Sequence, residues 1–127
     1  MFIKAVCAAV FFLYLGLFPT QTHAQQWVAA WVSSQQGPSP EDETISNATV
    51  RLVVRSTVSG DRVRVRLENT FGINPLVIAA ASIGLQARGA SLVIGSGTPL
   101  FFNASATVTI PAGDVVMSDP VRLPVQA

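Results

Sequence analysis

Two runs of alternating apolar and polar residues limit this chain to β structure more than any other feature. In TVRLVVRSTV, residues 49–58, the even positions Val50, Leu52, Val54 and Val58 are apolar, and Thr49, Arg51, Arg55 and Thr57 occupy odd ones. In RVRVRLEN, residues 62–69, Val63, Val65 and Leu67 alternate with Arg62, Arg64, Arg66 and Glu68. Period-two alternation sends successive side chains to opposite faces of a strand, so each run offers one face to a core and one to water. With Gly60-Asp61 as a two-residue type II′ turn, the runs form a hairpin. Parity then sets Val58 opposite Val63 and Val54 opposite Leu67 inside, and Arg55 opposite Arg66 outside.

The remaining chain repeats the theme in shorter units. QWVAAWVSSQ, residues 26–35, reads as a strand with both faces buried, on which Trp27, Ala29 and Trp31 share one side. Packing of Trp27 and Trp31 into the core is favoured over a sugar-stacking platform, because large aromatics supply much of a small domain's burial. GPSPEDETISNA, residues 37–48, is an exposed loop, and FGINPL, residues 71–76, is a turn. Then VIAAASIGLQ, ASLVIG, PLFFNA, ATVTI, DVVMS and VRLPV follow as β-prone runs between RGA, GSGT, PAGD and DP. Phe101 and Phe102 point to opposite faces of their run, so only one of them can enter the core. Turn signals at such short spacing, with no helical period, predict an all-β domain: an antiparallel β-sandwich, jelly-roll-like, or a related barrel.

The first 24 residues belong to a different physical problem. Lys4 precedes an uninterrupted apolar or glycine stretch at 5–18, and PTQTHA then ends in a small residue. That arrangement predicts a secretory signal peptide cleaved after Ala24, with 25–127 as the single β domain and a secreted or periplasmic location. A stretch of this length falls short of the roughly 20 residues a membrane-spanning helix needs. Cleavage would remove the only Cys (Cys7), His (His23), Tyr (Tyr14) and Lys (Lys4). What remains carries seven arginines against seven acids, a net charge of zero, and no means of forming a disulfide.

That inventory excludes much chemistry. A serine triad needs an imidazole to take and return the hydroxyl proton, and cysteine nucleophiles and serine–lysine dyads need residues that leave with the leader. For metals, only oxygen donors remain. Glu41, Asp42 and Glu43 could hold calcium together with loop carbonyls, but a solvated acidic loop is the favoured reading because no spaced ligand loop accompanies them. GSG at 95–97 lacks the following helix of a phosphate loop and reads as a turn. The N-x-S/T triplets at 47–49 and 103–105 are glycan acceptors only in a eukaryotic secretory pathway. No cofactor is implied.

The arginines Arg51, Arg55, Arg62, Arg64 and Arg66 are the one candidate partner or ligand surface. A nucleic-acid footprint is disfavoured by the zero net charge and by the lack of interleaved aromatics on that face. Like charges set directly opposite, as Arg55 and Arg66 would be, destabilise a ladder unless a carboxylate or anion sits between them. Glu68, the acids at 41–43 or a covering domain would serve.

The stretches WVAAWVSSQ, VRLVVRSTVSGDRVRVRLENTFGINPLVIAAASIGL and VTIPAGDVVMSDPVRLPV, in that order, resemble the segment that precedes the catalytic domain in secreted bacterial SGNH (GDSL-type) esterases. The most specific parts are GDRVRVRLENTFG and TIPAGDVVMSDPV. The resemblance implies a non-catalytic, accessory β-sandwich of a serine-dependent carboxylic ester hydrolase, whose partner is a hydrolase domain or a carbohydrate or ester substrate. It carries over no catalytic residue: the family's serine lies in a later G-D-S block, and here Gly60-Asp61 and Gly113-Asp114 are followed by Arg62 and Val115. By the family's pattern at least one further strand follows PVRLPV, so the chain is expected to be a truncated copy lacking its last strand. A free-standing secreted polysaccharide-binding module that uses the arginine face is the alternative expectation.

Overall fold

A computed structural model describes residues 26–37, 39 and 45–127. The expected leader at 1–24 and the acids Glu41, Asp42 and Glu43 lie outside the described residues. Among the described residues ten short strands follow one another: β1 (Gly60–Val63), β2 (Arg66–Glu68), β3 (Leu76–Ile78), β4 (Ala81–Ile83), β5 (Gln86–Arg88), β6 (Ser91–Leu92), β7 (Thr98–Leu100), β8 (Val108–Ile110), β9 (Val115–Met117) and β10 (Val121–Val125). There is no helix among the described residues, and the all-β, antiparallel class read from the sequence is what the chain adopts.

The pairing is nested. β5 pairs with β6, β4 with β7, β3 with β8, β2 with β9 and β1 with β10, every pair antiparallel. Residues 60–88 therefore run out and 91–125 run back as one long ribbon, folded at Gly89-Ala90. Gly89 has φ +55° at the first central position of that turn, a conformation that costs glycine nothing because it has no Cβ. Backbone pairing stops at two strands in each ladder among the described residues.

Along the outermost ladder the register shifts between Gly60 and Arg62, so that Leu123 and Pro124 together face Asp61. Such a two-against-one bulge is where a strand accepts proline, which has no N–H to give the ladder. The core is small: Leu100, Phe102, Ile110 and Leu123 are its buried apolar residues among those described, and β7 and β10, which carry Leu100 and Leu123, approach each other. Phe101 is exposed while Phe102 is buried, as the alternation requires.

Two expectations are corrected. The 49–58 run is not a strand, and Gly60-Asp61 is not a turn but the start of β1, whose partner is β10. Arg66 consequently faces Met117 and Leu67 faces Val116, instead of Arg55 and Val54. The reason is competition between two apolar partners for one strand. Pairing with 115–125 extends a ladder already aligned by the inner turns, whereas pairing with 49–58 would oppose Arg55 to Arg66. The apolar even residues of 49–58 are left exposed, Leu52 at 74%. The 26–35 run is likewise no strand, and Trp27 and Trp31 lie 40% and 49% exposed instead of in the core, because no sheet forms beside them to receive their rings.

Candidate functional site

Between β1 and β2 the chain leaves the ladder at Arg64 and Val65, and Ser118 fills the gap from the opposite side. The Ser118 hydroxyl accepts from the Val65 N–H at 2.9 Å and donates to the Asp119 carbonyl at 3.1 Å, while the Ser118 N–H donates to the Val65 carbonyl at 2.8 Å. The side chain is fully buried, so each of these bonds is shielded from water. Arg64 Nε donates to the Ser118 carbonyl at 3.0 Å, and its guanidinium carbon sits 5.3 Å from the centre of the Trp27 ring, within cation–π range. Arg64 thus fastens the 26–32 segment to the ribbon.

The predicted arginine surface is divided by these contacts. Arg51 donates through Nη1 to the Ala90 carbonyl, at the tip of the ribbon. Arg66 pairs with Glu68, two residues along the same strand, at 2.8 Å. With the arginine side chain more than half exposed, this pair adds little to stability. The side chains of Arg55 and Arg62 make no hydrogen bond or ion pair among the described residues. The five arginines therefore do not converge on one point.

A different pair does meet. Arg62 is directly opposite Arg122 in the β1–β10 register, and both side chains are exposed. Directly opposed residues project from the same face with Cβ atoms about 4.5–5.5 Å apart, so the two cations share one patch of surface. The sequence alone does not single out Arg122, because VRLPV is β-prone without naming its partner. Its signal was the parity of Arg122 between Val121 and Leu123, which becomes legible only once β10 is known to pair with β1.

Beside the ribbon an open cleft faces the 26–59 segment, lined by Trp27, Val54, Val65, Leu67, Ile78 and Leu100. The segment touches the ribbon at few points, through the Arg51–Ala90 bond, the Arg64–Trp27 contact and the Ala127 N–H, which donates to Ser59 Oγ at 3.1 Å; within the segment, Thr57 donates to the Ala30 carbonyl through both its N–H (3.0 Å) and its hydroxyl (2.7 Å). Among the described residues no three acidic, histidine or cysteine side chains gather as a metal site, and no helix is long and apolar enough to cross a membrane. What the arrangement can do chemically is present arginine forks and an apolar shelf to a partner. No family model matches the chain, and no curated protein matches it.

Proposed function

We propose that this chain is a secreted, non-catalytic β-sandwich domain that accompanies an SGNH-type carboxylic ester hydrolase. One observation carries the reading. The two stretches most specific to the resemblance, GDRVRVRLENTFG and TIPAGDVVMSDPV, are partners in space: β2 pairs with β9, and Val63 of β1 with Val121, the last residue of the second stretch. Asn69 from the first stretch also holds the turn of the second, its N–H donating to the Asp114 carbonyl at 2.9 Å and its carbonyl accepting from Gly113 at 2.8 Å. Motifs that build one joint have a structural reason to occur together in an accessory domain that contributes no nucleophile. The nested ribbon is also the pairing order from which a jelly roll is wound.

In this reading the ester chemistry, attack by a serine on the acyl carbon, belongs wholly to the hydrolase domain. This chain supplies an apolar and arginine-bearing surface for that domain to rest on. The purified protein is expected to hydrolyse p-nitrophenyl acetate no faster than a heat-treated control, and to raise the melting temperature of an SGNH catalytic domain added in trans. Hydrolysis above the control would overturn the non-catalytic assignment, and an unchanged melting temperature would overturn the accessory one.

A further inference from the structure

We propose that Arg62 and Arg122 form a two-armed site for a tetrahedral oxyanion, a sulfate or phosphate group, on the outer face of the β1–β10 ladder. The two residues are Cα partners in register, so their side chains leave the same face side by side. Neither side chain makes an ion pair or hydrogen bond with any described residue, whereas those of Arg51, Arg64 and Arg66 are each engaged. The inner face of the same ladder carries the half-buried Val63 and Val121, and the adjacent bulge at Leu123-Pro124 buries Leu123. The ladder is thereby fixed with its cationic face toward solvent.

Two like charges opposite each other are a cost that an anion between them removes. The number of oxygens selects which anion. A guanidinium fork takes two oxygens in parallel hydrogen bonds, so a single carboxylate is used up by one arginine, while two forks on one face are matched by an acceptor with three or four oxygens. Free sulfate or phosphate and the same group esterified to a polymer share this chemistry. The site is independent of any hydrolase partner and does not rest on the proposed function.

The test is a titration of the whole protein with sodium sulfate, ionic strength held constant with chloride, read as melting temperature and as the Nε–Hε resonances of the arginines. Ligand that binds only the folded state raises the melting temperature in a saturable way. Wild-type protein is expected to show that rise, with the Arg62 and Arg122 resonances moving together. Arg62→Gln and Arg122→Gln should each abolish it, Arg122→Lys should weaken it roughly tenfold by losing the fork, and Arg55→Gln should leave it intact. Dextran sulfate at equal sulfate concentration, with neutral dextran as control, separates the sources: tighter binding identifies a polymer-borne group and equal binding the free ion. A response no larger than that to acetate, or one unchanged in Arg62→Gln or Arg122→Gln, overturns the proposal. The resonance shifts in wild-type protein decide the matter if a variant does not fold.

Discussion

The side-chain amide of Asn69 reaches across the ribbon to the carbonyl of Ile110, 3.0 Å away, and the same Nδ2 lies 2.9 Å from the Asn74 carbonyl and 3.1 Å from that of Pro111. Two N–H groups thus serve three carbonyls at the corner where β2 gives way to β3 and β8 to β9. Because Ile110 is fully buried, this amide closes the polar end of the core. Asn69→Ala should lower unfolding free energy by about 2–3 kcal/mol, the sum expected for two or three hydrogen bonds of about 1 kcal/mol each. Urea denaturation followed by fluorescence of Trp27 and Trp31 measures it.

Gly72 is tied to the same amide. A Cβ on Gly72 would overlap Asn69 Oδ1 and Cγ, while the Gly72 N–H donates to the Asn69 carbonyl at 3.1 Å. Gly72→Ala must therefore displace Asn69 from its three acceptors, at a cost of about 1–3 kcal/mol as for overpacking. In the Asn69→Ala background most of that cost should vanish, since the clashing atoms are gone. A double-mutant cycle measures the difference, and costs that simply added would show that the clash is not what forbids a side chain at 72.

A second corner carries strain of a different kind. Phe102 and Ser105 bridge through a two-residue turn in which Asn103 and Ala104 have φ +52° and +63°. The Asp119 carboxylate holds the turn by accepting from the Asn103 N–H at 3.2 Å and the Ala104 N–H at 2.8 Å. Alanine is disfavoured at positive φ by its Cβ, and Asn-Gly is the preferred pair for a turn with two such residues. Ala104→Gly should stabilise the protein by roughly 0.5–1 kcal/mol, whereas Asp119→Ala should destabilise it by about 1–2 kcal/mol. Paired thermal melts of the two variants should move in opposite directions.

These corners show which parts of the fold were legible. RGA, GSGT, PAGD and FGINPL announce turns through residue types that tolerate positive φ or favour bends, and Gly89, Gly95 and Gly113 do have positive φ. The strand character of 62–68 was equally readable, because Val63, Val65 and Leu67 are half-buried while Arg62, Arg64 and Arg66 are exposed. Partner choice was not. Parity fixes which face of a strand is apolar but not which of two apolar runs lies beside it, so it allows Arg55 opposite Arg66 where the neighbour is Met117. The Arg62–Arg122 pair was invisible for the same reason, and the asparagine corner depends on contacts between residues some 40 positions apart.

Ser118 tests how much one buried hydroxyl contributes to the ribbon. Ser118→Ala removes the acceptor of the Val65 N–H and leaves that donor shielded from water where the ladder is interrupted. An unpaired buried donor costs about 1–3 kcal/mol. Amide hydrogen exchange at Val65 should accelerate by at least as much as the global loss requires. Exchange that stayed unchanged would place the stabilising contact elsewhere, at the Arg64–Ser118 bond.

The run at 50–54 bears on the proposed partner surface. Val50, Leu52, Val53 and Val54 are all exposed, Leu52 at 74%, and the described chain places no apolar side chain over them sufficient to bury one. Replacing an exposed apolar residue removes no core contact, so Leu52→Ser should change stability by less than about 0.5 kcal/mol. Clustered apolar surface binds hydrophobic dyes and partner proteins, so the same substitution should lower the fluorescence of bound anilinonaphthalene sulfonate. It should also weaken the stabilisation of an added SGNH catalytic domain. A large loss of stability from Leu52→Ser would instead mean that this run is buried in solution, paired as a strand with β1 or with another chain, and the shelf would then be part of the core.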